Sequence, residues 1–133
     1  MKGMVRWVED LTMEGITSNG KSFGIYGDEY PSPMEMVLHA HAACSFIDVI
    51  SGLKDRIKNV KSAHIEIDSE RSADSPRVFT KINMKYIIDG QVPKELVMRI
   101  IEYSHEKLCS VGIMLTGYGV KLTWELVINN SDK

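Results

Sequence analysis

Two cysteines, Cys44 and Cys109, are the only thiols in the chain. A thiol acts on oxidants as its thiolate, which is oxidised to a sulfenic acid and then captured by a second thiol as a disulfide. Two cysteines are therefore the minimum for such a cycle, and their separation in sequence is irrelevant if the fold brings their Cα atoms within about 7 Å. The residues alone leave a second reading open, because a free cysteine also serves as a small apolar filler and is among the most buried residue types.

The neighbours of Cys44 define what could tune it. If residues 33 to 52 form a helix, His41 at i−3 and Asp48 at i+4 share its side and lie within reach. A hydrogen-bonding or cationic His41 would favour the thiolate, whereas Asp48 would oppose it unless paired, and Asp48 needs a partner if buried. Glu35 sits about 180° around that helix from Cys44 and roughly 13 Å along it, so it cannot reach its own chain's thiol. His39 and His41 point about 160° apart and cannot jointly hold a metal. A zinc site of His41, Cys44 and Cys109 would require tertiary contact. Arg71 and Arg77 flank a turn and could approach a partner's thiolate, although exposed turn arginines usually sit in water. The eight methionines read as adaptable core filling or as lining for an apolar substrate.

The elements that would position these groups follow from periodicity and turn chemistry. Val5 to Val8, Leu11 to Thr17 and Ser22 to Tyr26 read as strands, with Ser18-Asn19-Gly20-Lys21 as a type I′ hairpin turn. Ser32-Pro33-Met34-Glu35 starts a helix, with Ser at N-cap, Pro at the first position and Glu completing a capping box. That helix, predicted to end near Gly52, is apolar nearly all round, so it should be buried, with any uncovered surface meeting another subunit. Val60 to Asp68 alternates, and a second strand places Val78, Ile82, Met84, Tyr86 and Ile88 on one face. Pro93 to Leu108 shows a helical stripe of Leu96, Val97, Ile100, Ile101 and Leu108, and a short helix over Ser110 to Leu115 follows it. The last strand alternates Val120, Leu122, Trp124, Leu126 and Ile128 against Lys121, Thr123 and Glu125. The expected class is α+β in the order βββ-α-ββ-α-β, with mainly antiparallel sheets around a long buried helix.

At 133 residues the chain fits a single domain, 1–133, that can build a core without staples. Its apolar runs read as too short to span a bilayer. A net charge of −2 with interspersed signs offers no basic stripe for phosphates, so neither nucleic acid nor a membrane is an expected partner. The first residues lack the apolar stretch and cleavage site of a secretory signal, which makes the cytoplasm the expected location. In that reducing compartment a cysteine pair is not a structural staple by default.

Two segments resemble the OsmC/Ohr family. Pro31-Ser32-Pro33-Met34-Glu35-Met36-Val37-Leu38-His39-Ala40-His41-Ala42-Ala43-Cys44 is similar to its helix motif, with a proline and acidic start, small residues and His-Ala-Ala-Cys. His105-Glu106-Lys107-Leu108-Cys109-Ser110-Val111 resembles the second-cysteine segment ahead of the final strand. The order of elements is also similar, so the likeness covers nearly the whole chain. Ser32 to Leu38, Ile47-Asp48-Val49 and Cys109-Ser110-Val111 look closest to the YhfA-like branch.

The resemblance implies an OsmC-like intertwined homodimer with its sites at the subunit interface. It also implies reduction of organic hydroperoxides or hydrogen peroxide in oxidative stress defence, with Cys44 peroxidatic, Cys109 resolving, an external dithiol reductant and no metal or organic cofactor. In the Ohr branch an N-terminal arginine and a glutamate directly after the helix-starting proline support the reactive cysteine. Here Met34 follows Pro33, Glu35 stands one place later, and Glu9 to Thr17 contains no arginine; Arg6 is close but should lie in a strand. Glu35 and His41 remain the auxiliary candidates. The alternative is a non-enzymatic dimer that binds an apolar small molecule, its cysteines inert or redox-sensing. A thiolate enzyme acting on an acyl group is a third reading, for which no oxyanion-stabilising motif is visible.

Overall fold

The computed structural model describes residues 1–130. They form two compact units, Met1–His39 and the chain from Ala40 onward.

In the first unit, β1 (Gly3–Glu9), β2 (Thr12–Thr17) and β3 (Ser22–Ile25) form an antiparallel sheet in that order. The hairpin after β2 departs from the expected type I′ turn, which needs positive φ at both Asn19 and Gly20; only Gly20 has it, at 86°. The Thr17 hydroxyl accepts the Lys21 amide at 3.0 Å and also bonds the Asn19 side chain. Ser18 and Asn19 thus make the turn, closed by Gly20 N–H donating to the Thr17 carbonyl at 3.0 Å, and Gly20 supplies the left-handed bulge residue. Arg6 pairs across the strands with Glu14 at 2.6 Å, a surface contact of little energetic weight.

Helix α1 (Pro33–Leu53) begins with the expected capping box: the Ser32 amide donates to Glu35 Oε1 at 3.0 Å and the Glu35 amide to Ser32 Oγ at 3.2 Å. Those bonds hold the Glu35 carboxyl below its usual range. A 3₁₀ stretch (Lys54–Asn59) follows the helix.

In the second unit β4 (Val60–Arg71) pairs antiparallel with β5 (Phe79–Gly90), which pairs parallel with β6 (Lys121–Asn129). The parallel pair is the exception to the antiparallel expectation. It arises because β5 and β6 are joined by helices α2 (Lys94–Tyr103) and α3 (Ser110–Thr116), which return the chain to the same end of the sheet. Ile82, Met84, Tyr86 and Ile88 are buried as expected, but Val78 is exposed and Phe79 takes the inward place. A bulge where β5 leaves the Arg71 pairing carries Thr80 as the extra residue and shifts the alternation. Arg71 and Arg77 staple the preceding turn: Arg71 Nε donates to the Arg77 carbonyl at 2.8 Å and Arg77 Nε to that of Ser72 at 3.4 Å.

Helix α1 is not buried all round. From Ala40 its inward stripe is His41, Ala42, Ser45, Val49 and Leu53, while Ile47 and Ile50 are exposed. Helical residues Pro33–Asn59 are long and apolar enough to cross a bilayer by length and composition, contrary to the sequence expectation. The core helix of a globular protein passes the same test, and here the inward stripe carries histidine and serine.

The second helical segment also departs from its predicted course. After Tyr103 the chain widens into a π-type turn, Ser104–Leu108, in which the Cys109 amide donates five residues back to the Ser104 carbonyl at 2.7 Å. A continuous α-helix with Val97, Ile101 and Ser104 inward would next present Leu108. The wide turn delays the inward position by one residue, so Leu108 is exposed and Cys109 is fully buried.

Candidate thiol site

Cys44 projects from α1 and Cys109 caps the start of α3, and both lie in the second unit. Cys44 lies near enough to Cys109 to help hold its thiol protonated, so the fold brings the two side chains together. Their exposure differs: Cys44 is half-buried, whereas Cys109 is sealed. Burial pushes the Cys109 thiol up to about 12, against the opposing Gly112 amide, which donates to its Sγ at 3.4 Å. The Cys109 thiol points at the His41 carbonyl oxygen, 3.8 Å away.

Gly112 makes this approach sterically feasible. A Cβ at that position would lie 2.5 Å from His41 Nε2 and 3.1 Å from Cys109 Sγ, so any larger residue would force the ring or the sulfur aside. His41 itself is fully buried, and neither ring nitrogen has a hydrogen-bond partner among the described residues. Burial holds its pKa below the ordinary histidine value.

Beside the thiols runs a hydrogen-bonded chain that the sequence reading did not assemble. Ser104 Oγ lies 2.7 Å from Asp48 Oδ2 and 3.0 Å from Ser45 Oγ, Ser45 Oγ lies 2.6 Å from the Tyr86 hydroxyl, and that hydroxyl lies 2.8 Å from His105 Nε2. A carboxylate only accepts. Ser104 Oγ is the donor to Asp48 Oδ2 and also faces Ser45 Oγ as a donor, whereas either hydroxyl can donate across the Ser45–Tyr86 contact. The Tyr86 hydroxyl also faces the Met84 thioether at 3.5 Å. His105 Nδ1 is buried and has no hydrogen-bond partner among the described residues. Burial, then the neighbouring His41, lowers the His105 pKa to about 4, while Asp48 pulls the other way.

Of the sequence-nominated residues, the structure gathers His41, Cys44, Asp48 and Cys109. Asp48 has the partner it required, Ser104. Glu35 is engaged in its cap. Ser45, Tyr86, Ser104, His105 and Gly112 were not nominated. One signal was available for Tyr86: a tyrosine on the core face of a strand needs a partner for its hydroxyl. Replacing it with phenylalanine strips that partner from both Ser45 Oγ and His105 Nε2. Tyr86→Phe is expected to lower stability by about 1–3 kcal/mol, read as a fall in the urea midpoint at unchanged slope.

The family profile described as "OsmC-like protein" matches residues 26–125. The chain is 43% identical over 119 residues to Protein YhfA of Escherichia coli (strain K12), covering 86% of this chain and 89% of that relative. Among solved structures, a hypothetical protein from Aquifex aeolicus VF5 superposes with a TM-score of 0.82 at 27% identity over 96% of each chain. The organic hydroperoxide resistance protein OhrB of Bacillus subtilis superposes with a TM-score of 0.58 at 18% identity, over 96% of this chain and 98% of that one, a likeness of fold alone.

Proposed function

Because the chain belongs to the OsmC-like family, we propose that it is a thiol peroxidase in which Cys44 reduces a hydroperoxide and Cys109 closes the catalytic disulfide. The observation that carries this reading is the unequal pair of neighbouring thiols, one partly exposed and one fully buried. A peroxide meets Cys44 first. Its thiolate attacks the distal oxygen, the O–O bond breaks, and the alcoholate leaves as the alcohol after taking a proton. The Cys109 sulfur then attacks the Cys44 sulfenic acid, the S–S bond forms, the S–O bond breaks and water departs. An external dithiol resets the pair by exchange, and the cycle uses no metal or organic cofactor.

The substrate class we propose is organic hydroperoxides, with hydrogen peroxide as the smallest member, and the setting is oxidative stress defence in the cytoplasm. That the hydroperoxide resistance protein OhrB of Bacillus subtilis has the same fold supports this choice. The working form in this reading is an intertwined homodimer. Its support is the apolar surface left uncovered within each unit: Met4, Val5 and Trp7 on β1, and Ile47 and Ile50 on α1.

Titrating the thiols after one equivalent of a small alkyl hydroperoxide tests the reading on the wild-type protein. The expected result is loss of both thiols, with the product migrating as a single chain in non-reducing denaturing electrophoresis. Two thiols still titratable after exposure would remove the peroxidase reading and leave the apolar-binding alternative.

A further inference from the structure

We propose that His41 is the base that takes the thiol proton of Cys109 as the disulfide closes. The inference rests on the two-thiol reading above and adds a residue to its second step. A neutral thiol is a poor nucleophile, so Cys109 must lose its proton to attack sulfur. It is fully buried, so solvent collects that proton only slowly, and the group its S–H faces, the His41 carbonyl oxygen, is not a base.

The imidazole of the same residue is a base. Its Nε2 and the Cys109 sulfur both flank Gly112, where an added Cβ would lie 2.5 Å from the one and 3.1 Å from the other. A fully buried side chain with two polar atoms unpartnered among the described residues is costly to keep. A proton-accepting role gives this imidazole a reason to stay free. Nothing in the dithiol form occupies the lone pair that the closing step requires.

The titratable groups gathered here are Cys44 and Asp48 on α1, Tyr86 on β5, His105 in the wide turn and Cys109 itself. The His41 ring packs edge to face with His105 at 6.3 Å between centroids. As the S–S bond forms, the Cys109 proton passes to His41 Nε2. The S–O bond of the sulfenic acid breaks, and the departing hydroxide takes the proton from His41 and leaves as water. His41 ends the step as it began.

The test avoids peroxide altogether, so it stands or falls apart from the peroxidase reading. An aromatic disulfide whose released thiolate is coloured reacts first with accessible Cys44, releasing one thiolate; Cys109 then displaces the second from the mixed disulfide. The first release reports access to Cys44 and serves as the internal reference. In His41→Gln the second release is expected to slow about a hundredfold relative to the first. Its rate should then climb about tenfold per pH unit, because attack waits on hydroxide, whereas the wild-type second release is level above neutral pH. A variant whose second release matches wild type in rate and pH profile overturns the proposal. So does a wild-type second release that itself climbs about tenfold per unit from pH 6 to pH 9, a measurement that needs no variant.

Discussion

Cys44→Ser protein is expected to consume alkyl hydroperoxide at least about a thousandfold more slowly than wild type, and Cys109→Ser protein to complete one turnover and stall. The asymmetry follows from exposure. Cys44 alone is reachable, and a serine hydroxyl in its place is far less ionised and far less nucleophilic than a thiol, so neither peroxide attack nor disulfide closure can start. Removing Cys109 leaves the first attack untouched but denies the sulfenic acid its captor. Peroxide loss followed with and without a dithiol separates the two variants, and a cyclic diketone that traps sulfenic acids should label Cys44 only in the Cys109→Ser protein. Wild-type rates in Cys44→Ser would assign the chemistry elsewhere.

Acid should destabilise the protein through the same site. His105 has its pKa lowered to about 4 in the folded state, first by burial and then by His41, against about 6.5 when unfolded. Above pH 6.5 both states carry a neutral imidazole and the group contributes nothing. As pH falls below that, the unfolded chain binds the proton that the folded chain refuses, so stability declines until the folded histidine also titrates near pH 4. The difference corresponds to a loss of about 3 kcal/mol across that window, and His41, lowered by burial as well, adds in the same direction. This is a large share of a typical folding free energy of about 5–15 kcal/mol. Urea midpoints taken stepwise from pH 7 to pH 4 should fall steadily, and the fall should be shallower in His105→Gln. Midpoints that do not change over this range would show that neither histidine is held neutral by the fold.

Much of the architecture was legible because periodicity encodes it directly. The alternation of Ile82, Met84, Tyr86 and Ile88 places them in the core, and Ser32 with Glu35 announces the helix that carries Cys44. Its all-round apolarity did not translate into all-round burial, because Ile47 and Ile50 find no cover within the described chain. The two cysteines were legible as a pair through the family's motifs. Their neighbours were not, because Ser45, Ser104 and Tyr86 are weak signals singly and gain meaning only when α1, β5 and the wide turn bring their hydroxyls together. Gly112 was invisible for a related reason: its role is the absence of a side chain at one spot between a ring and a sulfur. Leu108 was misplaced because hydrophobic spacing assumes constant pitch, and the chain changes pitch at Ser104.

That change of pitch makes the direction in which the second sulfur faces depend on counting rather than on chemistry. Glu106 and Lys107 lie on the exposed side of the segment, so exchanging either for another side chain preserves the angular phase. Adding one residue beside them would swing the sulfur about 100° around the axis, past any separation at which it could meet its counterpart. Homologues that preserve this chemistry should therefore vary freely in residue type here while holding the segment to a fixed length.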